Sequence, residues 1–235
     1  MGEHTVSSFD EELDQIQRIV RDMGDRAGAM VGASIRALVA SDNALAQRVV
    51  SDDAILDARQ RELDDRAIKL IARRQPMAQD LRAVVGAIRM AGDLERIGDL
   101  AKNIAKRVAA VDGGAAPRSL AHGIEGMAGL VLGQVEGVIA RYAARDAEGL
   151  RALRTDDEKV DVQYTAVFRE LLTYMMEDPR NITRCTHLLF CAKNLERIGD
   201  HVTNIAENAY YVVTGTQLPV NRPKLDETSV AAPAE

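Results

Sequence analysis

The chain has 235 residues, a formal charge of −6, 46% apolar residues and only 3% aromatics, with no Trp. That balance allows a core of Leu, Ile, Val, Ala and Met. It excludes a basic nucleic-acid-binding domain, because no basic run with interleaved aromatics occurs. Cys185 and Cys191 fall on different faces of one predicted helix, so they read as small core residues of a reduced compartment and not as a disulfide framework.

In chain order, an amphipathic stretch from about Phe9 to Ala40 predicts a first helix. Ser41 and Asp42 punctuate it, and either side chain suits the cap of a second helix over Asn43–Arg74. Pro76 fits the first turn of a third helix running to Val111. The segment DGGAAPRS at 112–119 reads as a linker. The same plan then repeats over 120–215, with Gly215 as the helix stop. Residues 216–235, with three prolines and little apolar content, read as a disordered tail. The acidic N-terminus lacks the apolar stretch of a secretory signal, and no long charge-free apolar window predicts a membrane span.

The plan repeats because the sequence does. ERIGDLAKNIA at 95–105 recurs as ERIGDHVTNIA at 196–206, Asp52 and Asp53 match Asp156 and Asp157, and Asp42 matches Asp146. Short connections force neighbouring helices antiparallel. The expected fold is therefore all-α, two tandem antiparallel three-helix bundles over 1–111 and 120–215.

The repeated segments carry oxygen donors. At about 100° per residue, Leu81, Val84, Val85 and Ile88 share a face that continues as Glu95, Asp99 and Asn103. The second unit has Ile182, Cys185, Thr186 and Leu189 leading into Glu196, Asp200 and Asn204. The second helix of each unit adds an acid pair four residues apart, Asp53 with Asp57 and Asp157 with Asp161. Carboxylates gathered at low dielectric repel one another unless a hard cation neutralises them. Each unit is thus expected to hold one acidic metal site, of Asp53, Asp57, Glu95, Asp99 and Asn103 or of Asp157, Asp161, Glu196, Asp200 and Asn204. The competing reading is a charged surface face paired locally with Arg96, Arg197, Lys102 or Lys106. His4, His122, His187 and His201 occupy no matched positions between the units, and Met175–Met176 reads as core filler.

The segments ARRQPMAQDLR (72–82), LERIGDLAKNIA (94–105), FRELLTYMMEDPRNI (168–182) and LERIGDHVTNIAE (195–207) resemble the PhoU family of phosphate-transport regulators over roughly 5–215. The resemblance implies two three-helix bundles, often dimeric. It implies divalent metal (Mn, Mg, Fe or Zn) on Asp53/Asp57, Glu95/Asp99, Asp157/Asp161 and Glu196/Asp200. It further implies a cytoplasmic protein, peripheral to the inner membrane through its partners, without catalysis of its own. The implied role is negative control of the phosphate-starvation response and modulation of phosphate uptake. The implied partners are the ATPase subunit of the phosphate ABC transporter and a sensor histidine kinase. RRQPMAQDLR has no close copy in the second unit, which reads MEDPRNITRC, so the halves are expected to serve different partners. Two other classes compete. A ferritin-like di-iron oxidase wants Glu-x-x-His on two helices, which the repeated sites lack. A metal-free structural helical module predicts no stability gain from metal.

Overall fold

The computed structural model describes residues 2–111 and 118–219. Among them there is no strand. Helices α1 (Gly2–Ala40), α2 (Asn43–Arg74) and α3 (Gln79–Ala105), with the short α4 (Val108–Val111), form the first unit. Helices α5 (Arg118–Ala144), α6 (Ala147–Glu177) and α7 (Ile182–Thr214) form the second, with one 3-10 turn, Pro179–Asn181, before α7. The expected tail lies outside the described residues from 220 onward, as does the expected linker over 112–117; α5 already begins inside that linker, at Arg118.

The first connection of each unit is built twice from the same chemistry. Ser41 and Arg145 take the left-handed conformation (φ 53° and 55°). The next N–H, of Asp42 or Asp146, then donates to the carbonyl of Ala37 or Arg141 at 2.9 Å, closing the old helix. The same aspartate caps the new helix, its carboxylate accepting from Leu45 N at 2.8 Å or Gly149 N at 3.0 Å.

The second connections depart from expectation. Pro76 is not in the first turn of α3. It disfavours the right-handed helical conformation at Gln75, which turns left-handed (φ 47°) as the C-cap of α2, and α3 starts only at Gln79. The third helix does not run unbroken to Val111 either. At Lys106–Arg107 the hydrogen bonding tightens, Arg107 N bonding Ile104 O at 3.0 Å, and α4 follows. The Arg107 side chain crosses to α7, 3.1 Å from His187 Nδ1 and over the Phe190 ring at 4.3 Å from its centroid.

The units pack through α1 on α5 and α3 on α7, both antiparallel. Gly24 meets Ile139 and Gly28 meets Val135; Arg82 lies over Tyr211, and Asp93 meets His201. This is a pseudo-two-fold arrangement with one continuous core across both units, from Ile16 and Met23 through Leu94 and Ile97 to Leu195 and Ile198. Gly24 and Gly86 are the close approaches: a Cβ at Gly24 would strike Ile139, and one at Gly86 would strike Val212.

Two further expectations change. Met176 is exposed, and only Met175 packs on the core. Leu81 and Ile182, at the start of the expected buried faces, are exposed, because the core side of α3 runs through Val84, Ala87 and Ala91 and that of α7 through Cys185, Leu188 and Ala192. Residues 122–144 of α5 are long and apolar enough to cross a membrane by length and composition, since that stretch carries few charges; here Val131, Val135 and Val138 are buried against the neighbouring helices. Both cysteines are buried and free, and burial pushes the Cys191 thiol up to about 12.

Candidate functional site

The acid pairs of α2 and α6 face the stripes of α3 and α7 within each unit. In the first unit Asp53 is buried, while Asp57, Glu95 and Asp99 are half-buried. Lys102, one turn after Asp99, places its Nζ 2.5 Å from both Asp53 Oδ2 and Asp99 Oδ1, tying α2 to α3. Burial works against that ammonium, but its bonds to Asp53 and Asp99 hold its pKa above the ordinary lysine value. Arg96 approaches Asp99 Oδ2 at 3.4 Å and Glu95 Oε2 at 3.6 Å from the solvent side. Burial, then the charge of Asp99, with lesser pushes from Asp57 and Asp53, raises the Glu95 carboxyl above its ordinary value.

The second unit repeats the carboxylates more deeply. Asp157, Asp161 and Glu196 are all buried and Asp200 is half-buried. Lys193 Nζ reaches Glu196 Oε1 at 2.9 Å, but the other oxygen, Oε2, is buried with no hydrogen-bond partner. Burial, with added repulsion from Asp200 and Asp161, raises the Glu196 carboxyl. At the register of Lys102 stands Thr203, which is buried.

Asn103 and Asn204 do not join their acids. Asn103 is exposed. Asn204 donates at 3.4 Å to Asp93 Oδ1 across the seam between the units, where His201 Nδ1 also lies 2.9 Å from that oxygen. Eight residues along a helix turn the side chain about 80° from its start, enough to leave the stripe. The seam is an open cleft of about 760 Å³ whose lining includes Arg89, Asp93, Glu95, Arg96, His201 and Tyr211. His201, which has no histidine counterpart in the first unit, is therefore a partner of Asp93.

Among the described residues no three His, Cys, Asp or Glu side chains converge into a ready-made ion cage. The donor set of the second unit nevertheless suits a hard divalent cation: buried carboxylates from two helices, one with a buried oxygen that has no hydrogen-bond partner. The first unit fits such an ion less well, because Lys102 already supplies a positive charge to Asp53 and Asp99. The Lys102-to-Thr203 mismatch is visible between the two repeats. Gln134 of α5 is not: it is buried beside Asp157 with its Oε1 unpartnered, and no repeated motif marks it.

The fold and the paired stripes define a duplicated helical-bundle protein with a carboxylate cluster between two helices of each unit. The PhoU domain matches this chain twice, over residues 20–108 and 124–209. The chain belongs to the PhoU family. It is 59% identical to a "Phosphate-specific transport system accessory protein PhoU homolog" of Rhizobium meliloti (strain 1021), over 96% of this chain and 95% of that protein. It is 48% identical to a protein described in the same words from Caulobacter vibrioides (strain NA1000 / CB15N), over 97% of this chain and all of the other. The crystal structure of PhoU from Pseudomonas aeruginosa superposes with a TM-score of 0.84 at 35% identity, covering 88% of this chain and all of that one. That of the phosphate transport system regulatory protein PhoU from Streptococcus pneumoniae gives 0.82 at 25% identity, covering 90% of this chain and all of that one.

Proposed function

We propose that this protein is a cytoplasmic accessory regulator of phosphate transport. It restrains the phosphate-starvation response when phosphate is plentiful and modulates phosphate uptake. It acts as an adaptor between the ATPase subunit of a phosphate ABC transporter and a sensor histidine kinase. The observation that carries this reading is the end-to-end similarity to relatives bearing the accessory-protein name, with both PhoU domains present. The physical means is docking of helix faces whose relative positions depend on how the acids between α2 and α3, and between α6 and α7, are neutralised. A divalent ion, when bound there, supplies the positive charge that lets buried carboxylates approach one another. The residues that would hold it are Asp157, Asp161, Glu196 and Asp200 in the second unit; Asp53, Asp57, Glu95 and Asp99 are the equivalent acids of the first, where Lys102 already supplies a positive charge. A homodimer is part of the same reading.

The test is a deletion of the gene with a phosphate-starvation reporter, combined with a binding titration of the purified protein against the transporter ATPase subunit. The expected result is reporter output in phosphate-rich medium after deletion, repression restored by the wild-type chain, and a saturable complex. Unchanged reporter output and no complex would contradict it.

A further inference from the structure

The two acidic clusters hold the same carboxylates but are closed by different chemistry. In the first, Lys102 bridges Asp53 of α2 and Asp99 of α3 at 2.5 Å to each. In the second, the residue at that register is Thr203, which carries no charge. The third helix also differs. A Cβ on Gly98 would meet Leu56 and the Met30 methyl of α1, an apolar lid. A Cβ on the equivalent Gly199 would lie 3.0 Å from Asp157 Oδ1 and 3.5 Å from Gln134 Oε1 of α5, so a carboxylate and an amide oxygen converge on one point of α7.

Gln134 is only 7% exposed, and its Oε1 has no hydrogen-bond partner. Glu196 is 5% exposed and its Oε2 is likewise unpartnered. A buried acceptor without a donor is costly, and so is a buried carboxylate half-satisfied. Lys193 meets Glu196 from the same helix, one turn away and 41% exposed at the rim, and Glu196 Oε2 still has no hydrogen-bond partner. Carboxylate and amide oxygens are the donor set of a hard divalent cation, and the convergence of Asp157 Oδ1 and Gln134 Oε1 on Gly199 places both oxygen types on one side of α7.

We propose that the two sites are not equivalent. The second cluster is the divalent-cation site, with Gln134 as an amide-oxygen donor from a third helix; the first is a built-in ion pair in which Lys102 stands where the metal would be. This rests on the metal-binding reading given above.

The test is Mn²⁺ retained by the metal-stripped full-length protein after loading and desalting, measured by elemental mass spectrometry, with binding followed by titration and folding checked by circular dichroism. Wild type is expected to retain Mn²⁺. Asp157→Asn/Asp200→Asn is expected to lose it, and Asp53→Asn/Asp99→Asn to keep it. Gln134→Met, which installs the residue type of the first unit, is expected to weaken binding about tenfold or more. Lys102→Thr, the residue of the second unit, is expected to raise the Mn²⁺ retained per chain. Equal losses from the two double variants overturn the asymmetry even if Lys102→Thr fails to fold. Wild-type affinity in Gln134→Met removes Gln134 from the site. No Mn²⁺ on the wild type overturns the metal-binding reading itself, an outcome distinct from the other two.

Discussion

Lys102 is a single ammonium serving carboxylates on two helices, and its removal leaves Asp53 buried without that partner. Lys102→Met is expected to lower unfolding free energy by roughly 2–4 kcal/mol in the absence of metal, toward the low end because Asp99 is only half-buried. Urea denaturation with an unchanged slope checks it. Glu196 works in the opposite direction. Burial, reinforced by Asp200 and Asp161, raises its folded-state pKa above the unfolded value. The folded protein therefore binds that proton more readily than the unfolded chain, and the ionised form costs stability at neutral pH. That cost fades as pH falls through the raised value. Glu196→Gln is expected to raise the Tm of metal-free protein at neutral pH, with the gain vanishing once pH falls well below the unfolded glutamate value of about 4.3, where unfolded and folded carboxyls are both protonated. A lower Tm at neutral pH would mean that the Lys193 pair outweighs burial.

The helix connections show which signals are local. Asp42 was legible beside Ser41 as one of two candidate caps, and Asp146 as its match in the repeat, because an N-cap is a local bond between a side chain and the next turn. Asp146→Ala is expected to cost about 1 kcal/mol, read as a lowered urea midpoint. The break after Ala105 was not legible: Lys106 and Arg107 are good helix formers, and the contacts made there, with His187 and Phe190, come from the other unit. The acid stripes were readable because the repeat printed them twice, whereas the drift of Asn103 and Asn204 off the stripe needed the helix angle carried through eight residues. Gln134 was hidden for a different reason: its counterpart is Met30, so duplication carried no echo of it. At the α3–α7 seam, Gly86→Ala drives a methyl into Val212, a short, stiff side chain. A loss of about 1–3 kcal/mol is expected, largely recovered in Gly86→Ala/Val212→Ala.

At the scale of the molecule, the pseudo-two-fold pairing of α1 with α5 and of α3 with α7 makes one core from two repeats. Ion pairs and close approaches along α3 are thereby coupled to α7, and each acidic cluster lies between an outer helix and a central helix that also touches the other unit. Such an arrangement lets a charge change in one unit bias the seam of the whole protein. The exposed Met77 and Met176 mark the two second connections, which lie toward opposite ends of the molecule because α3 and α7 run antiparallel. Their different sequences keep the expectation of distinct partners open to test by exchanging them. The most direct measurement is the phosphate-starvation reporter in cells whose only copy of the gene encodes Asp157→Asn/Asp200→Asn, at wild-type protein abundance in phosphate-rich medium. Reporter output as high as in the deletion is the expected result; full repression would contradict the claim that regulation works through the buried acids between α6 and α7.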